Sequence, residues 1–286
     1  MRTYLVRWVP AMLLLFCTHG AVAAINCSIS SPGISSAYTG TLNINQTSFT
    51  INCTRLSGDP ATSDYTVHPD NGINAVGQVN RTTQGANYLS YEEYQDSICS
   101  AAWQPTGGGI SGTINFGSAL GISVTRDYWG CIPAGQAYAV GAYSDTVLMT
   151  LTYNDGTGDV VTTGGHQVTI STSASCSITT APGTMNFSYT ALQATSSSAA
   201  TTFGTTCSIG TAYSISVTSS GGVISGLQYS LRINTTNSGG SNPLGSSGSG
   251  VQQNFYINGA MPAGQAGSCG TASCQDSTIH TLLITY

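Results

Sequence analysis

The chain has 286 residues, enough for two ordinary domains, and only 6% of them are charged. It contains no lysine, six arginines and eleven acidic residues. Polyanions are bound by clustered Lys and Arg that release counterions, so this composition excludes nucleic acid as a partner.

Residues 1–24 read as a secretory signal: Arg2 and Arg7, an apolar stretch around residues 12–16, then Ala-Val-Ala-Ala with cleavage after Ala24 or Ala23. The stretch is too short to span a bilayer, and no later segment approaches about 20 apolar residues. The mature chain is expected to be exported without a membrane span. It keeps Arg55, Arg81, Arg126 and Arg232 against eleven acids, a balance of −7.

Residues 25–153 form the first unit. It opens on Cys-Ser-Ile at 27–29 and reaches Cys53 through the alternating run TSFTINC. His68 lies near Asp64 and Asp70, but no G-x-S-x-G elbow accompanies them and no catalytic constellation emerges. YEEYQD at 91–96 offers Glu92, Glu93 and Asp96 to calcium. Without a glycine-punctuated loop, a solvated acidic face is the default. Trp103 in AAWQPTGGGI and Trp129 in DYWGCIPAG have loop-like neighbours, tied down by Cys99 and Cys131. With Tyr128 they are the candidate adhesive loop residues, because aromatics on a rigid scaffold suit sugars or hydrophobic surfaces. The competing reading makes one tryptophan the buried core residue of a sandwich. The unit closes with IPAGQ at 132–136 and the run SDTVLMTLTY ending at Tyr153.

Residues 154–175 follow as a linker that includes HQVTISTSAS at 166–175, where Val168, Ile170 and Thr172 alternate. This stretch is either the last strand of the first unit or only a lead-in to the second.

Residues 176–286 say the same thing again. Cys-Ser-Ile recurs at 176–178, Cys207 follows ATTFGTTC, MPAGQ stands at 261–265, and DSTIHTLLITY ends at Tyr286. Four landmarks in one order imply two homologous domains. Short alternations between Gly, Ser, Asn and Pro clusters predict an all-β fold of two immunoglobulin-like sandwiches. Val147, Met149, Leu151 and Tyr153 share one strand face, as do His280, Leu282, Ile284 and Tyr286, and both faces read as core. From Cys176 onward only Arg232 and Asp276 are charged, and Ser, Thr, Asn and Gly carry solubility. That balance favours an extracellular β-protein over a cytosolic enzyme.

Cys17 leaves with the signal, so eight cysteines remain, four per domain, in an oxidising compartment. The repeat favours Cys27–Cys53 and Cys176–Cys207, leaving Cys99–Cys131 and Cys269–Cys274. With no Cys-x-x-Cys pair, zinc is not expected.

The first-strand Cys, the Cys after a Thr-rich strand, the (I/M)PAGQ loop and the terminal Thr-Tyr strand together resemble the spore coat protein U domain family, which includes subunits of archaic chaperone–usher pili. The resemblance implies an incomplete immunoglobulin fold whose last strand comes from a partner, by addition to an open edge. A periplasmic chaperone, an outer-membrane usher and a neighbouring pilin are the implied partners, and no cofactor is. On this reading domain 2 lacks its final strand, and the strand carrying Leu282, Ile284 and Tyr286 lines its acceptor groove. The mature start at Ile25, just before Cys27, leaves nothing to donate. The expectation is a non-enzymatic tip adhesin, exported through the periplasm to the surface of a Gram-negative cell, that attaches to an abiotic or host surface. A secreted coat protein that never meets an usher is the alternative.

Overall fold

Period-two alternation punctuated by glycine turns dictates strands, and the named elements are all strands. The computed structural model describes residues 24–268 and 275–286. Domain 1 contains β1 (Asn26–Ser30), β2 (Ile34–Tyr38), β3 (Asn43–Thr54), β4 (Thr62–Pro69), β5 (Asn80–Gln84), β6 (Asn87–Tyr94), β7 (Ile110–Asn115), β8 (Gly121–Ile132), β9 (Gly141–Asn154) and β10 (Asp159–Thr172). Domain 2 contains β11 (Cys176–Thr180), β12 (Ser197–Cys207), β13 (Ala212–Val217), β14 (Gly221–Ile224), β15 (Leu227–Asn234), β16 (Leu244–Ser247), β17 (Gln253–Met261) and β18 (Leu282–Thr285). The segment read as a signal, apart from Ala24, and the expected Cys269–Cys274 pair lie outside the described residues.

Domain 1 is an immunoglobulin-like sandwich whose two layers curl into one sheet, in the order β1-β3-β8-β6-β5-β9-β10-β2, with β4 and β7 on the other edge of β9. In domain 2 the layers are separate: β11-β12-β17-β15-β14 faces β16-β13-β18. Disulfides join Cys27 to Cys53 across β1 and β3, and Cys176 to Cys207 across β11 and β12. A third joins Cys99 to Cys131. Each first-strand bridge staples neighbours already in ladder register.

The (I/M)PAGQ loops explain themselves physically. In domain 1 the Tyr38 hydroxyl donates to the Pro133 carbonyl (2.9 Å) and accepts from the Gln136 N–H (3.0 Å). The Gln136 side chain then acts as one more strand residue, exchanging two hydrogen bonds with the Ser90 backbone. Tyr189, Pro262, Gln265 and Gln228 repeat all four bonds in domain 2. The repeated motif is thus a clamp on the loop, and it fixes which residues of the two domains correspond.

Domain 1's core holds most of the aromatic side chains, and this corrects the adhesive-loop reading. Trp103 is 2% exposed and Tyr128 is fully buried. Residues 95–109 fold back over the core, held by the Cys99–Cys131 bridge and by the Trp103 N–H donating to the Glu93 carbonyl. The indole stacks on Phe49 at 5.5 Å, meets Tyr128 at 5.0 Å, and donates from Nε1 to the Val67 carbonyl at 2.9 Å. Trp129, one residue on from Tyr128 along β8, points the other way and is half-buried.

Only residues 173–175 lie between the domains' strands, because β10 takes most of what the sequence leaves as linker. The domains also touch directly: the Ile209 N–H donates to the Tyr138 carbonyl at 2.7 Å.

Truncating the buried indole is expected to be costly. Trp103→Ala should weaken domain 1 by about 3–5 kcal/mol through lost burial and the cavity it leaves. Denaturant unfolding of the full chain checks this; an unchanged domain 1 transition would place the indole outside the core.

Candidate functional site

The difference between the domains lies beside one strand. β9 ladders with β4 and β5 along one edge and with β10 along the other. β10 runs antiparallel to β9 for its full length, from Asp159 opposite Asn154 to Thr172 opposite Gly141. Its far edge runs parallel to β2, from Val168 beside Ile34 to Thr172 beside Tyr38. β10 therefore fills the lane between the last two edges of the sandwich. The pass is close: a Cβ on Gly164 would collide with the Ile29 carbonyl of β1, and one on Gly33 with the Gln167 carbonyl.

Along β10, Val160, Thr162, Gly164, His166, Val168, Ile170 and Thr172 face inward. Val168 and Ile170 are fully buried and Thr172 partly so. The stretch read as 166–175 is thus the second half of a longer strand, with residues 173–175 outside it. That strand forms a hairpin with β9 through a turn at residues 155–158, where Asp155 Oδ1 accepts from the Thr157 and Gly158 N–H groups.

In domain 2 the corresponding lane is open. β18 ladders with β13, from Ser214 opposite Thr285 to Val217 opposite Leu282, and among the described residues its other edge carries no strand. The counterpart of β2 is Met185-Asn186-Phe187-Ser188-Tyr189, matched through the clamp tyrosine, and these residues lie outside any strand. The apolar residues that line the lane are correspondingly bare. Ile29 of β1 is 7% exposed, whereas Ile178, its counterpart in the repeated Cys-Ser-Ile, is 41% exposed. Met149, Leu151 and Tyr153 of β9 are buried; their counterparts Leu282 and Ile284 are half-buried and Tyr286 is 60% exposed. The face of domain 2 read as core is therefore only half covered. His280, its remaining member, turns to the Tyr229 hydroxyl at 2.7 Å. An open backbone edge beside uncovered apolar side chains is a template for one more strand.

The other sequence candidates fall apart into separate local roles. His68 Nδ1 meets the Gln104 carbonyl, Asp64 accepts from the Thr113 hydroxyl, and Asp70 caps the Gly72 and Leu148 N–H groups. Glu92, Glu93 and Asp96 do not converge on a cation. Asp96 accepts from the backbone of Ile98, Ser100 and Ala101 and from the Ser100 hydroxyl, which holds its carboxyl at about 2. Glu93 points inward instead and pairs with His166 at 2.8 Å, with both side chains fully buried. Sequence reasoning missed this pair, although period-two alternation through Leu89, Tyr91 and Glu93 places all three on the buried face.

A second feature is the pole of domain 1 opposite the domain 2 contact. β9 leaves Gly141 near that contact and arrives, about 45 Å on at 3.3 Å per residue, at Asn154. Three loops meet there: residues 55–61, 116–120 and 155–158. The Arg55 N–H donates to the Leu120 carbonyl and the Phe116 N–H to the Ala61 carbonyl. The Arg55 guanidinium lies over the Phe116 ring and donates to the Ala119, Asp59 and Gly117 carbonyls. With the cation consumed internally, the pole presents Leu56, 63% exposed, and Leu120, 54% exposed.

The open lane makes a dynamic prediction. Hydrogen exchange should show the β18 amides opening on the order of 100-fold or more faster than those of β9, because β18 is laddered on one side only. Equal protection would mean that the lane is closed in solution.

Comparison with known proteins gives matches to part of the chain in sequence and to most of it in structure. Residues 13–150 match the model described as Spore Coat Protein U domain. "Protein U" of Myxococcus xanthus is 34% identical over 108 residues, 37% of this chain and 58% of that protein's length. Among solved structures, the chaperone–tip subunit pre-assembly complex of the archaic Csu pili of Acinetobacter baumannii aligns over 91% of this chain and 100% of that one, at 14% identity and a TM-score of 0.45. The CupB6 tip adhesin of Pseudomonas aeruginosa aligns over 92% and 94%, at 9% identity and a TM-score of 0.40.

Proposed function

We propose that this protein is the non-enzymatic tip adhesin of a chaperone–usher pilus, and that domain 2 is its attachment point to the fibre. One observation carries the reading. Two copies of one fold sit in one chain, the first with its final lane filled by β10 and the second with that lane open. A filled lane accepts nothing, so the chain can take up one strand, through domain 2. The strand comes first from a periplasmic chaperone and then from a neighbouring pilin, after passage through an outer-membrane usher.

The same polarity turns domain 1 outward. Its far pole, with Leu56 and Leu120 on glycine-turned loops, is then the surface-contacting end, and an abiotic or host surface is its target. Small apolar contacts repeated over many fibres suit attachment to hydrophobic material. The family description favours a second reading, a secreted coat protein that never meets an usher.

Two experiments test these readings. Co-expression with a periplasmic pilus chaperone should yield a stable binary complex, and a peptide copying a companion pilin's N-terminal extension should raise the melting temperature of domain 2 within the full chain. At a peptide concentration of 100 times Kd the gain is about 2.7 kcal/mol. A domain 2 indifferent to chaperone and peptide would leave the coat-protein reading. In the second, Leu56→Ser with Leu120→Ser should lower adhesion to a hydrophobic surface while leaving export and melting unchanged. Undiminished adhesion would move the contact surface away from this pole.

A further inference from the structure

Both lanes are built on equivalent floors that differ in chemistry at two neighbouring positions. In domain 1, β6 ladders with β8 so that Glu93 stands opposite Gly130. In domain 2, β15 ladders with β17 so that Leu231 stands opposite Gly259. The clamp confirms the equivalence, because Gln136 holds Ser90, three residues before Glu93, and Gln265 holds Gln228, three before Leu231. The neighbouring floor position is Tyr128 in domain 1 and Ile257 in domain 2, both buried. One lane therefore has a carboxyl and a phenol beneath its incoming strand, and the other has two aliphatic side chains at those positions, with the Phe187 ring over Gly259 and His280, bonded to Tyr229, in the place of Val147.

β10 is matched to the first floor. His166 stands opposite Val147 in the β9 ladder and reaches down to Glu93, with Nε2 2.8 Å from Oε1. The imidazole also lies against the Tyr128 ring at 5.7 Å. Glu93 Oε2 and His166 Nδ1 find no other hydrogen-bond partner among the described residues. Each side chain thus depends on the other for its one side-chain hydrogen bond. A strand with an aliphatic residue in the place of His166 would leave the Glu93 carboxyl buried and unpaired, and β10 laid into domain 2 would bury an imidazole against Leu231 and Ile257. Both mismatches incur the full desolvation cost of a buried polar group.

We propose that Glu93 and His166 form a selectivity code. The pair assigns β10 to its own domain, excludes foreign strands from that lane, and restricts the lane of domain 2 to strands that are apolar at the position facing Leu231. The second half of this proposal rests on the acceptor reading of domain 2. The companion subunit's donor segment is then an extended strand alternating apolar residues throughout, with no charged or imidazole side chain at that register. A mismatch penalty of this kind is how closely related interfaces avoid cross-pairing.

Two measurements on the full chain test it. In the first, Glu93→Leu and His166→Leu should each lower the melting temperature of domain 1, and the double variant should regain most of either loss, since apolar pairs commonly replace buried polar pairs without penalty. Simple addition of the two losses would overturn the pairing. In the second, labelled peptides copying residues 159–172, one native and one carrying His166→Leu, are titrated against the full chain, with hydrogen exchange at residues 282–286 locating the bound strand. The leucine peptide should bind about tenfold or more tighter. Equal binding, or tighter binding of the native peptide, would overturn the code while leaving domain 2 an acceptor. Failure of both peptides to bind would remove the acceptor reading and, with it, the code's second half. Leu231→Glu should reverse the preference; if that variant does not fold, the comparison on the unaltered chain still decides.

Discussion

A β-sandwich closes only when every edge of its core is covered, and here one lane, between β9 or its counterpart β18 and β2 or its counterpart at residues 185–189, decides whether that happens. The lane needs a strand that satisfies backbone groups on both sides and drops alternate side chains onto the core. β10 does both for domain 1. Its partners β9 and β2 are well-formed strands, and Ile29, Met149, Leu151 and Tyr153 lie in the interior. Without an equivalent, β18 is four residues long and Met185–Tyr189 makes no ladder at all.

This single difference organises the molecule. The filled domain is self-sufficient and rich in aromatic contacts, from Phe49 through Trp103 to Tyr128, so its loops can be specialised without risk to the core. The open domain has a smaller core centred on Phe203, Phe255, Leu231 and Ile257 and meets its neighbour through the Tyr138–Ile209 bond. On the proposed reading, contact with the fibre and contact with the outside are thereby separated by the length of β9. An edge left open in this way is a hazard for any exported chain. A domain that carries Arg232 and Asp276 as its only charges has little electrostatic repulsion to keep copies apart, which makes protection by a partner strand the more important.

Electrostatics is used sparingly and inside. Arg55 is spent on loop carbonyls, Asp96 on a turn, and Asp145 on the Tyr91 hydroxyl and Asn74. Burial and the nearby Glu93 push the Tyr128 phenol up, so it stays a neutral hydrogen-bonding partner of Ser31. In so charge-poor a chain, the buried Glu93–His166 contact stands out as an acid–imidazole pair within a core.

The sequence by itself determined the repeat, the all-β class and the equivalence of the two terminal strands, because these rest on local alternation, turn residues and landmark order. It also carried half of the clamp: Gln136 and Gln265 lie in a loop short enough to be read as a motif, whereas Tyr38 and Tyr189 join them only in the fold. Other features were decided only by tertiary structure. Trp103 has the neighbours of a surface loop, yet a disulfide and a return hydrogen bond fold that loop inward, and composition does not encode which way a loop turns. Glu93 and His166 are 73 residues apart and meet because β10 crosses the sandwich to lie beside β2. Leu56 and Leu120 become one surface only where the β3–β4 and β7–β8 loops converge. Strand identity is a local property of the chain; which strands lie side by side, and which lane is left empty, is fixed by long-range pairing.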